Sequence, residues 1–258
     1  SWKIKVGDAV ETARPDADGA SIGMTIAQID VKAGTFTVRR GTVPKNPGPL
    51  VLRPFVGGDV VWESLMRLGE QALSATPDPA YEVALQLLDR QPPLDPVAMA
   101  PRDVEDASGR ARRIASAMTC GVLPVQGPPG TGKTWLGARL VADALKRGGP
   151  QGAPAVIAVT ANSHRVIDNL LLEVADYCAS SQIEVAVGHA GSEDKVTTDA
   201  RVARVDGNPQ VASWISAMKD AHRPCVIGAT KYAWARPDLL GSADVLIVDE
   251  AGQLPLAD

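Results

Sequence analysis

Apolar and polar residues alternate with period two in the first part of the chain, and this pattern predicts β-strands. The alternation is clearest over residues 24–31 and 35–40, and the short Lys-Ala-Gly turn between the two runs predicts a hairpin. Shorter runs at residues 10–12 and 50–53 predict two further strands. Short strands joined by Gly- and Pro-rich turns are typical of a small barrel, so we expect a small β-barrel over residues 1–56.

A helical period replaces the alternation in the next stretch. Apolar residues recur on one face over residues 60–73 and again over residues 79–88, where Pro92 and Pro93 follow. The segment up to residue 101 is rich in proline. We therefore expect a helical stalk and linker over residues 57–99.

Short apolar runs alternate with helical stretches from about residue 100 onward. The predicted strands are residues 122–125, 155–159, 183–187, 226–229 and 245–248, and the predicted helices are residues 132–147, 163–179 and 209–222. Buried strands that alternate with helices are typical of a parallel sheet covered on both faces. The sequence predicts an α/β domain over residues 100–258.

The composition is that of an ordinary globular protein. Of 258 residues, 45% are hydrophobic and 22% are charged, which excludes a disordered or collagen-like chain. The net charge of −4 excludes nucleic-acid binding by bulk positive charge, although a local basic track remains open. The three cysteines lie far apart without a Cys-x-x-Cys pair, which favours free thiols in a reducing cytoplasm. No apolar run is long enough to span a membrane.

A complete phosphate-loop motif lies between the run at 122–125 and the helix that follows it. The motif G-x-x-x-x-G-K-[ST] is matched by Gly127, Pro128, Pro129, Gly130, Thr131, Gly132, Lys133 and Thr134. Glycines let backbone N–H groups turn toward a phosphate, and a helix N-terminus favours negative charge. We expect Lys133 to reach the β- and γ-phosphates and the Thr134 hydroxyl to bind Mg²⁺.

One residue in this stretch conflicts with its predicted structure. Pro124 has no N–H to donate, yet the strand before a phosphate loop is expected to be central in the sheet. Either Pro124 occupies an unpaired position or the strand begins at Val125.

Two acidic residues end the last predicted strand. Asp249 and Glu250 follow the run at 245–248 directly, which is the Walker B arrangement. We expect Asp249 to hold Mg²⁺ and Glu250 to orient and deprotonate the attacking water. Because parallel sheets bind ligands at the carboxyl ends of their strands, the two acids are expected to meet the phosphate loop.

The sequence of the phosphate loop is shared by AAA+ ATPases and superfamily 1 helicases, and two observations favour the helicases. Lys133 and Asp249 are 116 positions apart, whereas AAA+ modules usually have fewer residues between the phosphate loop and the Walker B acids. The segment from Asp249 to Gln253 resembles the D-E-A-x-Q motif of superfamily 1, in its RNA-surveillance and replication-nuclease branch. The resemblance implies that Gln253 senses the γ-phosphate.

Two further segments resemble helicase motifs that grip the backbone of a nucleic-acid strand. Residues 159–170 are similar to motif Ia and residues 225–230 to motif Ic, which implies strand contacts by Thr160, Asn162, Ser163 and Thr230. Hydroxyl and amide groups of this kind position a backbone without reading bases. The alternative for Ser163 is a plain helix N-cap, although strand contact is preferred. His164 stands where many relatives carry Asn, and as a lone histidine it is interpreted as a strand contact or, at least as readily, as a solvated side chain.

The combined motifs look most like bacterial proteins that join a RecB-like nuclease to such a helicase. The resemblance implies a RecA-like P-loop NTPase sheet, preceded by a barrel that resembles subdomain 1B, with ATP and Mg²⁺ bound. The implied partners are single-stranded nucleic acid, with DNA favoured over RNA, a second RecA-like domain and a nuclease domain. The glutamine that would read adenine is not apparent before the loop, so ATP and GTP stay open.

The chain is expected to be a piece of a longer motor protein. On this interpretation it ends shortly after the Walker B acids, without the arginine finger of a second domain, and it should bind Mg-nucleotide and hydrolyse it slowly. The alternatives are an AAA+ remodelling ATPase and a nucleotide-gated binding module that is not a motor. Arg110, Arg112 and Arg113 are either a phosphate track or, as we prefer, a solvated helix face, and His189 is interpreted as structural.

Overall fold

The protein is described by a computed structural model that covers residue 6 and residues 9–12, 23–30, 32–33, 35–39, 50–52, 59–94 and 96–254. Its contacts divide the chain into two compact units, residues 1–57 and residues 58–258. The finer division into barrel, stalk and ATPase domain stays a prediction.

The first unit contains a four-stranded antiparallel sheet. Its strands are β1 (Ala9–Thr12), β2 (Gly23–Asp30), β3 (Thr35–Arg39) and β4 (Leu50–Leu52), in the order β3-β2-β1-β4. The predicted alternation is confirmed in β2, where Met24 and Ile26 are buried and pack with Phe36 and Val38 of β3. Within the described residues β3 and β4 form the two ends of the sheet, so closure into a barrel stays a prediction.

Four helices open the second unit. They are α1 (Asp59–Leu73), α2 (Glu82–Leu88), α3 (Pro96–Met99) and α4 (Ala107–Ala117). The helices predicted at 60–73 and 79–88 are confirmed, and the second starts as a 3-10 turn whose N-cap, Asp78, accepts from the N–H of Ala80 at 2.9 Å. The helix α4 was expected only as the helix face that carries Arg110, Arg112 and Arg113, without predicted bounds. Its N-cap is Asp106, which accepts from the N–H of Gly109 at 2.6 Å.

A five-stranded parallel sheet with helices on both faces forms the rest of this unit. Its strands are β5 (Val156–Thr160), β6 (Ala186–Ala190), β7 (Val202–Val205), β8 (Cys225–Gly228) and β9 (Val245–Val248), and its helices are α5 (Lys133–Arg147), α6 (His164–Ser180), α7 (Val211–Asp220) and α8 (Lys231–Trp234). The strand order is β7-β6-β8-β5-β9, and all four pairings are parallel. The predicted α/β class is confirmed.

Alternate residues of β5 supply two separate cores. Ile157 and Val159 pack with α5 and α6 on one face, and Val156 packs with α7 on the other. Gly228 of β8 lets α6 approach the sheet, because a Cβ at this position would lie 2.4 Å from the Ile167 side chain. These contacts fix α6, and the loop that leads into it, against the middle of the sheet.

The strand predicted at residues 122–125 is absent, and this prediction was wrong. Residues 122–128 are described without helix or strand, and Val125 is 41% exposed. Pro124 interrupts this segment and has no N–H for a ladder, which is the physical reason against a paired strand. Within the described residues β9 therefore has a neighbour on one side only, and its Leu246 is 50% exposed.

None of the helices in the described part of the chain is both long and apolar enough to cross a bilayer.

All three cysteines are free thiols. Cys178 and Cys225 are buried and Cys120 is half-buried.

Candidate functional site

Three glycines shape the loop ahead of α5. Gly130 and Gly132 have φ angles of +80° and +81°, a region that L side chains rarely adopt. A Cβ at Gly127 would lie 2.6 Å from the Thr131 hydroxyl, which in turn donates to the carbonyl of Pro128 at 2.8 Å. The loop is thus a tight backbone turn that ends at the first residue of a helix, a local structure that binds phosphate well.

Lys133 holds its ammonium group at this loop. Its Nζ donates to the carbonyl oxygens of Gly127 at 2.9 Å and Pro128 at 3.0 Å. A cation kept at the loop complements the N-terminus of α5, since both favour an anion in the same place. The loop residues themselves are largely exposed, so an anion can enter from solvent.

Thr134 and Asp249 come together from opposite ends of the domain sequence. The Thr134 hydroxyl donates to Oδ2 of Asp249 at 3.4 Å, while Oδ1 accepts from the N–H of Glu250 at 2.8 Å. Mg²⁺ binds oxygen at about 2.0–2.1 Å, which puts neighbouring ligand oxygens roughly 3 Å apart. A hydroxyl and a carboxylate at this separation are therefore the oxygen types, at nearly the spacing, that fit a Mg²⁺ ion.

Gln253 connects the acidic pair with the loop that follows β5. Its amide nitrogen donates to Oε2 of Glu250 at 2.7 Å, and its amide oxygen accepts from Nδ2 of Asn162 at 3.3 Å. A single 3-10 turn, Ala251–Gln253, brings the side chain back toward Glu250, whose own φ is +51°. The bridge joins two segments that the sequence analysis assigned to different roles.

The four residues predicted to contact a nucleic-acid strand lie at the carboxyl end of the parallel sheet. Thr160 ends β5 and Thr230 follows β8, and the two strands are adjacent in register. Asn162 and Ser163 are exposed, whereas Thr160 is only 6% exposed and its hydroxyl has no partner within the described residues. Ser163 is the N-cap of α6 and accepts from the N–H of Val166 at 3.4 Å, as the N-cap interpretation predicted.

Two of the three arginines of α4 form ion pairs, and the third bonds a backbone carbonyl. Arg112 binds Asp143 of α5 at 2.7 Å and Arg113 binds Glu105 at 2.7 Å, while Arg110 donates to the carbonyl of Met99 at 2.8 Å. Each guanidinium ties α4 to its surroundings. Neither the phosphate track nor the solvated face describes them, and their role here is structural.

A buried histidine cluster was missed by the sequence analysis. His189 of β6 binds Asp168 through Nδ1 at 2.6 Å and His164 through Nε2 at 3.0 Å. The interpretation of His164 as solvated was wrong, because its ring is half-buried against His189. Burial lowers the pKa of both histidines, and the neighbouring His189 and Lys195 lower that of His164 further. The i, i+4 spacing of His164 and Asp168 was the one available signal.

Comparison with protein-family models finds no match for this chain, and comparison with curated proteins finds none either.

Proposed function

We propose that this chain is the ATP-binding half of a superfamily 1 helicase core, with a RecA-like sheet that couples ATP hydrolysis to a grip on single-stranded DNA. The observation that carries the proposal is the meeting of Thr134 with Asp249, at 3.4 Å, beside the phosphate loop. The phosphate loop and the acidic pair are distant in sequence, and the convergence of a hydroxyl from one with a carboxylate from the other supports a shared site.

The loop residues bind and orient the phosphates of ATP. The N–H groups at the start of α5 and the Lys133 ammonium face the β- and γ-phosphates, in place of the carbonyl contacts that Lys133 makes in this structure. Thr134 and Asp249 would hold Mg²⁺, which when bound neutralises charge on the phosphate oxygens. Asp249 is kept in place for this role by the N–H of Glu250.

Glu250 is the base for water attack. Its carboxylate accepts the proton of a water as the water oxygen bonds to the γ-phosphorus and the bond from phosphorus to the bridging oxygen breaks, which releases ADP. Gln253 fixes the carboxylate through the 2.7 Å bond to Oε2 and is well placed to respond to the γ-phosphate. Positive charge that stabilises the transition state would come from a second RecA-like domain, and turnover without that charge is slow.

The nucleic-acid strand is proposed to bind at the carboxyl ends of β5 and β8, next to the nucleotide site. Asn162, Ser163 and Thr230 present amide and hydroxyl groups there, and Thr160 belongs to the same edge although its side chain is enclosed. Asn162 contacts Gln253. A movement of Gln253 on binding or loss of the γ-phosphate would therefore shift Asn162, one of the residues proposed to contact the nucleic-acid strand. A nuclease domain joined to the parent chain is part of the same proposal.

Titration of a fluorescent single-stranded oligonucleotide tests this function. We expect its affinity to change when a non-hydrolysable ATP analogue and Mg²⁺ are added, and this response to disappear in Lys133→Ala. Lys146→Ala is the matched control, because Lys146 lies in the last turn of the same helix. Nucleotide binding without any strand binding would instead favour the remodelling ATPase or the nucleotide-gated module.

A further inference from the structure

His189 is a fully buried polar side chain that the proposed mechanism does not use. Only His189 and Thr160 are buried polar or charged residues within the described part of the chain. A buried imidazole is costly unless both ring nitrogens are bonded. In β6 both are bonded, to two residues one turn apart on α6, Asp168 and His164.

The carboxylate fixes where the protons lie. Asp168 can only accept, so Nδ1 of His189 carries the proton and donates at 2.6 Å. Nε2 of a neutral His189 is then an acceptor, and Nδ1 of His164 must donate to it at 3.0 Å. The three side chains form a directed array, His164 to His189 to Asp168. Among the described residues, no group of three or more metal-binding side chains converges on one point.

The array ties the first turn of α6 to its surroundings. Asp168 also accepts from the N–H of Thr197 at 3.1 Å, which attaches the segment after β6. The ring of His164 lies so close to Gly191 that a Cβ there would be 3.0 Å from it. His164 directly follows Ser163, and Asn162 is one residue further back. The array therefore holds the same turn whose start carries the contact with Gln253.

We propose that the His164–His189–Asp168 array is a positioning device, with His189 as its central positioning residue, that holds Asn162 and Ser163 where a strand is gripped and where Asn162 reaches Gln253. The proposal rests on the proposed function for the identity of that grip. None of the three side chains is assigned a contact with ATP, and their effect on the strand is exerted through the first turn of α6.

Protonation limits the pH range in which the device works. The bond between the two imidazoles survives one added proton, because either ring can donate to the other. It does not survive two, since an N–H would then face an N–H across 3.0 Å. The surrounding charges are Asp168 on α6, Asp194 and Lys195 after β6, and Arg204 of β7.

Arg204 is paired with Glu193 at 3.7 Å, and the residue of β8 opposite His189 is the uncharged Gly228. Because Glu193 neutralises Arg204, the charge closest to the histidines is the carboxylate of Asp168, which favours the first added proton. Burial of the rings opposes the first proton and the second. Acidification should open the array and release the first turn of α6.

Two variants of His189 test the device. His189→Gln keeps a donor and an acceptor on one planar group but cannot titrate, whereas His189→Leu removes both bonds. His222→Gln is the matched control, because His222 is the third and last histidine of the chain and is exposed at the end of α7. The measured quantity is the nucleotide response, the ratio of oligonucleotide Kd values without and with the non-hydrolysable ATP analogue and Mg²⁺, from about pH 8 to about pH 5.

We expect the wild-type response to fall about tenfold between these limits, and the His222→Gln response to follow it. His189→Gln should keep its response across the range, and His189→Leu should lose about tenfold already at the upper limit. A folded His189→Leu with the wild-type response, or a His189→Gln with the wild-type loss in acid, would overturn the proposal.

Hydrogen exchange separates failure of this inference from failure of the proposed function. If the wild-type chain binds no oligonucleotide, the proposed function fails. The positioning role of the array is then tested by the hydrogen-exchange rates of the amide N–H groups of Val166 and Ile167, in the first turn of α6. Faster exchange in His189→Leu than in the wild type and His222→Gln supports the positioning role. Equal exchange in all three proteins overturns it.

Discussion

The hydroxyl of Thr134 donates to Oδ2 of Asp249 across 3.4 Å, although 115 positions separate the two residues. Thr134 is fixed by the start of α5, and Asp249 by the end of β9, where its N–H donates to the carbonyl of Thr160 at 2.9 Å. Two rigid elements thus present a hydroxyl and a carboxylate to one point beside the phosphate loop. This relationship is the basis of the proposed Mg-nucleotide site.

Removal of the Thr134 hydroxyl should weaken nucleotide binding only when Mg²⁺ is present. We expect Thr134→Ala to raise the Kd for ATP with Mg²⁺ about tenfold, since one metal ligand of about 1.4 kcal/mol is lost. Thr134→Ser keeps the hydroxyl and should bind like the wild type. Calorimetric titrations with Mg²⁺ and with EDTA measure the effect, and an equal loss under both conditions would assign Thr134 a purely structural role.

Glu250→Gln should separate binding from turnover. The amide has nearly the shape of the carboxylate but cannot accept the proton of the attacking water, so we expect hydrolysis to fall by about 10²–10⁴-fold with ATP affinity kept. Phosphate release measures the rate, and a fluorescent ATP analogue measures the affinity. Asp238→Asn, at an exposed ion pair with Arg236, is a control that should hydrolyse ATP like the wild type. A Glu250→Gln protein with the wild-type rate would remove Glu250 as the base.

The bond between Asn162 and Gln253 predicts energetic coupling between strand and nucleotide. In a double-mutant cycle of Asn162→Ala and Gln253→Ala, the nucleotide response should fall in each single variant and fall little further in the double variant. We expect a coupling energy of about 0.5–1.5 kcal/mol, as for one hydrogen bond. Strictly additive losses would show that the two side chains act separately.

The histidine pair predicts that stability falls in mild acid. The pKa values of His164 and His189 are lowered from 6.5 by burial, so the unfolded chain binds protons that the folded chain excludes. Their contribution is fully present above pH 6.5 and is lost as the pH falls from there toward the lower folded values. Denaturant titrations at several pH values should give a shallower dependence for His189→Gln than for His222→Gln. Equal dependence in the two variants would contradict this prediction.

The thiols should react at different rates. Burial raises the pKa of Cys225 to about 11 and raises that of Cys178, so little thiolate is present at either site in neutral buffer. We expect Cys120, which is half-buried, to be the fast-reacting thiol of the folded protein and all three to react in denaturant. Mass spectrometry after brief labelling measures this. Rapid native labelling of Cys225 would show that β8 is not held as described.

Periodicity was enough to predict the elements whose apolar residues form a regular pattern. The strand at Val245–Val248 has the predicted bounds, and α5 starts one residue after its predicted start. The strand β6 was placed three residues too early, because Gly188 and His189 do not continue an apolar run although they are buried. The strand β7 was missed because Val202–Val205 has only four residues, with two exposed in the middle.

The candidate site divides in the same way. The phosphate loop and the acidic pair were found because each is a contiguous motif with a known spacing. The approach of His164 and Asp168 to His189 depends on the register of β6 against α6, and the bridge from Asn162 to Gln253 depends on a 3-10 turn. A local pattern carries no information on either contact, since both are made by the packing of distant segments.

Binding of ATP by the wild-type chain and by Lys133→Ala is the most direct test of the central claim. Equilibrium titration of a fluorescent ATP analogue in the presence of Mg²⁺, with Lys146→Ala as the control on the same helix, should show saturable binding by the wild type and the control. We expect Lys133→Ala to lose at least about tenfold in affinity, because a cation at the loop is removed. Equal affinity of Lys133→Ala and the wild type, or no binding by the wild type, would contradict the account.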